Sequence, residues 1–414
     1  MSKFTFEEVK KALKLDEKSE IWEKDWELSE ESFKFGELYF LEENYVGKSC
    51  DEIKMKPEIK KLILDYLPVF KSNIALQRLI WHCHYITFVI AKAKKPDIAA
   101  WPTEPLDEGM FFPLFFLSGI DFIKKHNAKL GISEEITIDS LVDLELWIIV
   151  YKEVTGKWGL RQKHWVANAF LGHIYKLGRL QFKFDPFFID LNVYRNKKDR
   201  RIIVFPYDGI EFRKDGQFNG ADKIRETEGI WKSKLEIKDG FIYGNFISPT
   251  GIATPEIKKI MQSEWDLILK RDSRCLSVHI PATGPMDFAQ CGESFRRAIE
   301  FFPKYFPEYN YEGFFCDSWL LDPQLEQYLP AESNVIKFMK EFYNVPVPDA
   351  ENTVFFRVFG KEQLDVKTAP RDTSLRRSII KHVENGGRWR DTAFVYFAED
   401  FNWGSQFYRK MWGM

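Results

Sequence analysis

The chain has 414 residues, 45% hydrophobic and 29% charged, and its 60 lysines and arginines against 62 aspartates and glutamates leave a formal net charge of −2. That balance describes a folded chain rather than a disordered one, and it offers no general attraction to nucleic acid or to an anionic membrane surface. The length exceeds what one small core organises, so two or three domains are expected.

The first residues, MSKFTFEEVKKALKL, set Lys and Glu among single apolar residues at helical spacing and lack the apolar run of a signal peptide. The most apolar stretch, Met110 to Ile120, is interrupted by Pro113 and followed by Asp121 and two lysines, too short to span a bilayer. Cys50, Cys83, Cys275, Cys291 and Cys316 are scattered without a CxxC spacing, which suits reduced thiols and predicts a cytoplasmic protein.

Residues 1–155 read as a helical domain. Thr5 and Glu8 form a capping-box pattern, Pro57 fits a first helical turn, and Ile74–Ala91 is apolar-rich without Gly or Pro. Asp139 is placed to cap LVDLELWIIVYKEV, and Gly156 closes the region. His82 and His84, two apart on a helix, fall on different faces and make a poor metal site, so no metal is expected.

From 156 to 414 the texture changes. His164–Lys176 reads as helix, GRLQFKF (178–184) alternates as a strand, RIIVFPY (201–207) is a further strand, and Asp239-Gly240 marks a hairpin turn. A helix is expected near 254–270. Strand 275–280, helix 287–303, strand 312–319, helix 333–343, strand 353–359, helix 373–384 and strand 391–397 then follow. Such alternation implies crossover connections and parallel pairing at the centre of a mixed sheet.

The segment SVHIPATGPMDF (277–288) joins a strand to a helix. Ser277 and His279 share the polar face of that strand, and Asp287 is an N-cap with Gln290 three residues on. The loop therefore abuts unpaired N–H groups, a setting that favours an anion by about 0.3–1 kcal/mol per well-placed charge. Gly284 allows close approach, while Pro281 and Pro285 each remove a donor. A plain tight connection has the same spacing, and no GK[ST] follows to make a P-loop.

HIPATGPMD, SWLLDP (318–323), SNVIKF (333–338), GRLQF (178–182) and PRDTSLRR (370–377) together resemble a family of bacterial acyltransferase-domain proteins. Members of that family carry a helical N-terminal domain and a C-terminal domain similar to the GNAT acyl-CoA-dependent N-acyltransferases. The resemblance implies an α+β chain: a helical domain (1–155), then a GNAT-like mixed β-sheet domain with flanking helices (156–414). PATGP departs from the usual Q/R-x-x-G-x-G/A loop, with one glycine and no arginine.

The resemblance further implies acetyl-CoA or another acyl-CoA as co-substrate and a small-molecule or peptide amine as acceptor. Its diphosphate would lie on the backbone of Ala282, Thr283, Gly284, Met286, Asp287 and Phe288, and Asn334 would touch the pantetheine arm. Acyl transfer to an amine needs a base, a donor to the carbonyl oxygen and an acid for the thiolate. His279 is the first candidate for the base and Asp317 the competing carboxylate. Ser318 or Cys316 would donate to oxygen or thiolate. Arg179 and Gln181, sharing a polar face, would contact the acceptor. The tyrosine that serves as acid in many GNAT enzymes has no counterpart: Met339 falls near its position and Tyr343 beyond it. Arg371, Arg376, Arg377 and Lys381 either meet the 3′-phosphate or form a solvated basic face. Cys291, on the apolar stripe of its helix, is expected to be inert. The alternative reading is a binding protein that holds coenzyme A or another phosphorylated ligand without turnover.

Overall fold

The computed structural model describes residues 4–90, 96–282, 284–348, 353–361 and 363–414, apart from the side chain of Asp222. The chain forms two compact units, Met1–Lys176 and Leu177–Met414.

The first unit is built from helices that include Phe6–Leu13, Pro57–Lys71, Ile74–His84, Asp143–Thr155 and Lys163–Phe170. Thr5 and Glu8 close their capping box, Pro57 opens its helix, and Gly156 ends the Asp143–Thr155 helix at φ 73°. Asp139 does not cap that helix. It lies inside a shorter one, Glu134–Ser140, because Ser133 upstream accepts the Ile136 N–H and starts a helix sooner. The helix from Ile74 gives way at His84 to a π-turn, Tyr85–Val89, and the last predicted residue, Ala91, lies outside the described residues. Every residue of Phe111–Leu117 is buried, so the most apolar stretch is a short helix at the centre of an aromatic core. No helix among the described residues is long and apolar enough to cross a membrane.

The strands, in chain order, are β1 (Ile174–Leu177), β2 (Leu180–Pro186), β3 (Leu191–Asn196), β4 (Ile202–Pro206), β5 (Glu211–Phe212), β6 (Trp231–Lys232), β7 (Leu235–Lys238), β8 (Phe241–Ile247), β9 (Ala253–Met261), β10 (Trp265–Leu269), β11 (Arg274–His279), β12 (Gly313–Ser318), β13 (Tyr343–Pro346) and β14 (Thr392–Tyr396). The main sheet of the second unit runs β2-β11-β12-β14-β13. β11 and β12 are parallel, and β11–β2, β12–β14 and β13–β14 are antiparallel, giving the mixed sheet of an α+β, GNAT-like fold. A second sheet has the order β10-β3-β4-β8-β7, with β9 also on β8. Asp239 (φ 53°) and Gly240 (φ 79°) make the β7–β8 hairpin turn that their sequence demands.

The helix read over 164–176 ends at Phe170, and residues 174–176 belong to β1. Two further predicted elements are wrong throughout. Residues 254–270 form β9 and β10 rather than a helix. Ala253 and Ile260 alone are buried in β9, which leaves no alternation to read, and pairing to β8 decides the conformation. Residues 354–359 form a helix, Val354–Phe359, instead of a strand, since a six-residue apolar run fits either. The sheet position assigned to them is taken by β13, so the helix predicted over 333–343 stops at Lys340.

One face of the main sheet packs on the helix Phe288–Tyr305 through aromatic rings. Phe295 lies 5.6 Å from Phe182, 5.4 Å from Phe314 and 5.2 Å from Tyr396, and Phe302 lies 5.2 Å from Phe184. Trp403 stacks 5.0 Å from Phe288 and donates to its carbonyl at 2.9 Å, pinning the first turn. A Cβ at Gly292 would meet the Trp403 ring at 2.4 Å. Alanine is the better helix former, yet here Gly292→Ala is expected to destabilise by about 1–3 kcal/mol through overpacking. Urea unfolding measures this, and a stabilised variant would refute the ring-on-glycine contact.

Candidate active site

Strand alternation sends Phe182, Phe184, Val278 and Phe314 to the helix and their neighbours to the opposite face. Register places Cys275 opposite Asp185, Ser277 opposite Lys183, and His279 opposite Gln181. Ser277 is also level with Phe315 of β12, whose next residue on that face is Asp317. A polar cluster thus forms on one face from β2, β11 and β12.

The cluster is wired by hydrogen bonds. Lys183 Nζ reaches Asp185 Oδ1 at 2.5 Å, Ser277 Oγ donates to Asp185 Oδ2 at 2.5 Å, and the same oxygen lies 3.0 Å from His279 Nε2. A hydroxyl has one proton to donate. With that proton on Asp185, Ser277 accepts from His279 Nε2–H, which leaves the imidazole lone pair on Nδ1. Burial lowers the His279 pKa to about 4, opposed by the Asp185 carboxylate and reinforced by Lys183. Asp317 is pushed the other way: desolvation of its carboxyl raises the pKa, and the Asp185 charge adds to it. Gln181 is 1% exposed and its Nε2 has no hydrogen-bond partner among the described residues, a buried donor beside His279.

β11 and β12 pair only as far as Ser277 and Phe315. Beyond that, Val278 and His279 pair with β2 alone, and Cys316, Asp317 and Ser318 with β14 alone. The two parallel strands therefore part at their C-terminal ends, between His279 and Asp317, leaving backbone groups turned towards a gap.

The loop lies immediately beyond. Asp287 caps the Phe288–Tyr305 helix by accepting from Gln290 N–H at 2.8 Å. Gly284 adopts φ 85°, and a Cβ there would meet nothing within 4 Å, so the glycine serves the turn. Ala282 and Gly284 are exposed. Thr283 lies outside the described residues. The Asp287 N–H bonds to the Pro285 carbonyl at 3.1 Å, whereas those of Met286 and Phe288 have no partner among the described residues.

Other predicted residues fall elsewhere. Ser318 points to the face opposite His279 and accepts from Leu320 N–H at 3.2 Å. Asn334 is an exposed first-turn residue of the helix Asn334–Lys340. Arg179 is not beside Gln181 on the strand face; its Nε and Nη2 donate to the carbonyls of Pro285 (2.9 Å) and Gly284 (3.2 Å). Tyr343 is fully buried with its hydroxyl on the Ile247 carbonyl, and burial raises its pKa. Burial likewise raises the thiols of Cys316 and Cys291, the latter to about 12. Arg371 pairs with Glu384 and Arg376 with Asp372. Among the described residues no group of three or more His, Cys, Asp or Glu is placed to hold a metal.

Asp185 was missed at the level of sequence. Its signal was the continued alternation Gln181, Lys183, Asp185, which puts all three on the face of Ser277 and His279.

Comparison with known proteins bears on this geometry. A crystal structure of an acyltransferase mutant in complex with octanoyl-CoA superposes with a TM-score of 0.63 at 19% identity, covering 94% of this chain and 98% of that one. A second, of an acyltransferase in complex with decanoyl-CoA and teicoplanin, gives 0.60 at 20% identity, covering 95% and 99%. At such identities the likeness is one of fold. Among curated proteins none matches. Residues 46–172 match the family described as N-acyltransferase N-terminal domain. Residues 174–395, which hold β1 to β14, the parted strands and the capped loop, match the GNAT-like C-terminal domain, and the chain belongs to that family.

Proposed function

We propose that the protein is an acyl-CoA-dependent N-acyltransferase. The observation that carries this reading is the parting of β11 and β12 beside His279, directly ahead of a loop that opens a capped eighteen-residue helix. The N–H groups of Met286 and Phe288 at that helix end suit the diphosphate of coenzyme A. The gap between the strands suits its pantetheine arm, whose amides would pair with the unpaired strand edges. Family membership and the acyl-CoA complexes of the structural neighbours support the same class of donor.

In this reading the amine nitrogen attacks the thioester carbonyl and loses a proton to His279 Nδ1 as the C–S bond breaks. The imidazolium so formed is held through Ser277 to the Asp185 carboxylate, which opposes the penalty of burial. Gln181 Nε2 is the donor for the carbonyl oxygen, a role that matches its lack of any other partner. Asp317, across the gap with a raised pKa, serves to receive or return the proton. The acceptor is a small-molecule or peptide amine; a structural neighbour is an acyltransferase in complex with decanoyl-CoA and the glycopeptide teicoplanin. A second reading, a coenzyme A or phospho-ligand binder without turnover, is favoured by Tyr343, whose hydroxyl is sequestered on Ile247 and supplies no acid for the thiolate.

Calorimetry with coenzyme A tests the pocket, and thiol release from octanoyl-CoA with a panel of amines tests turnover. His279→Ala is expected to lower kcat by about 10²–10⁴-fold with the coenzyme A Kd unchanged; an unaltered rate would remove His279 as the base. The His279 pKa also links to stability. It is depressed from 6.5 to about 4, so the unfolded chain takes up its proton first. Its contribution is complete above pH 6.5 and is lost as pH falls through about 4. His279→Gln should therefore flatten the fall in unfolding free energy across that window, measured by urea titration at several pH values, and an unchanged slope would contradict the half-buried neutral imidazole.

A further inference from the structure

The loop lacks an arginine of its own, yet a buried arginine lies beneath it. Arg179, at the turn into β2, is 9% exposed. Its backbone N–H is tied to Ser294 Oγ at 2.8 Å, and Ser294 in turn donates to the Gln290 carbonyl at 2.8 Å, so the residue is moored to the first turns of the helix behind the loop. Nε and Nη2 hold the Pro285 and Gly284 carbonyls. Nη1 is buried and has no partner, and no carboxylate pairs with this guanidinium among the described residues. Burial lowers its pKa, opposed by the neighbouring Cys291 sulfur.

Two physical consequences follow. A trans peptide sets its C=O and N–H on opposite sides, so drawing the Pro285 carbonyl onto Arg179 turns the Met286 N–H away from it, towards the outside of the loop. A buried cation without a paired anion is costly and is relieved by any anion that reaches it. Both effects prepare the loop for negative charge.

We infer that Arg179 is the cation of the diphosphate subsite, reaching the loop from the neighbouring strand, and that it orients the Pro285–Met286 peptide for the ligand. The inference rests on the proposed acyl-CoA reading of the site. Its ligand is the diphosphate bridge of coenzyme A, with the charge of the guanidinium and its unpartnered Nη1 supplying what a loop with two prolines lacks in N–H donors.

The test compares octanoyl-CoA, its 3′-dephospho form and S-octanoyl-pantetheine as ligands of the full chain, with thermal unfolding as a check of folding. Arg179→Gln is expected to weaken both diphosphate-bearing ligands at least tenfold and by the same factor, while S-octanoyl-pantetheine changes less than twofold. Arg179→Lys, which keeps the charge but not the fork, should fall between wild type and Arg179→Gln, and it decides the matter if the glutamine variant does not fold. Unchanged affinity for octanoyl-CoA in the folded variants, or an equal loss for S-octanoyl-pantetheine, overturns the assignment. Failure of the wild-type protein to bind octanoyl-CoA overturns the acyl-CoA reading itself, a result distinct from either.

Discussion

The structure of the second unit depends on one packing constraint: the aromatic seam between the Phe288–Tyr305 helix and the main sheet. Phe295 meets rings from β2, β12 and β14 at once, and Phe302 meets Phe184 at the end of β2. Because strand residues alternate, committing Phe182, Phe184, Val278 and Phe314 to that seam commits Lys183, Asp185, Ser277, His279 and Asp317 to the reverse face. The polar cluster is thus a geometric consequence of the core. A one-residue slip of β11 against β2 would bury the histidine under the helix and turn Leu276 and Val278 to the reverse face.

The same seam fixes the loop. Trp403 and Gly292 hold the first turns of the helix, Ser294 moors Arg179, and Arg179 holds two loop carbonyls. The loop side carries a buried guanidinium without a paired carboxylate among the described residues, and the strand face carries two carboxylates around a neutral imidazole, one of them tied to Lys183. An anionic group is favoured at the first place, and a group that becomes positive during reaction at the second. Acyl transfer from a diphosphate-bearing thioester to an amine needs both, in that order along the ligand.

Much of this was written in local chemistry. The Thr5 capping box, Pro57, Gly156, the Asp239-Gly240 hairpin and the Asp287 cap each act within a few residues of chain, and each stands where its residue type requires. The alternation of strands and helices from 275 onward, with the five short motifs, was enough to indicate the GNAT-like fold and the loop. Local signals failed where burial was thin or where a nearer cap competed. β9 buries two residues and shows no period, Val354–Phe359 is too short to show one, and Asp139 lost to Ser133.

The sequence by itself therefore determined the two-part architecture, the order of elements and the polar face on which His279 stands, because caps, turns and alternation are properties of neighbouring residues. Tertiary structure alone decided which distant residues join that histidine. Register across β2, β11 and β12 brought in Asp185 and Asp317, while β14 pairing and strand alternation turned Ser318 away. The turn before β2 carried Arg179, more than a hundred residues earlier in the chain, to the carbonyls of Gly284 and Pro285. Strand pairing over such separations leaves no local trace, since each residue's own alternation is satisfied equally by many partners.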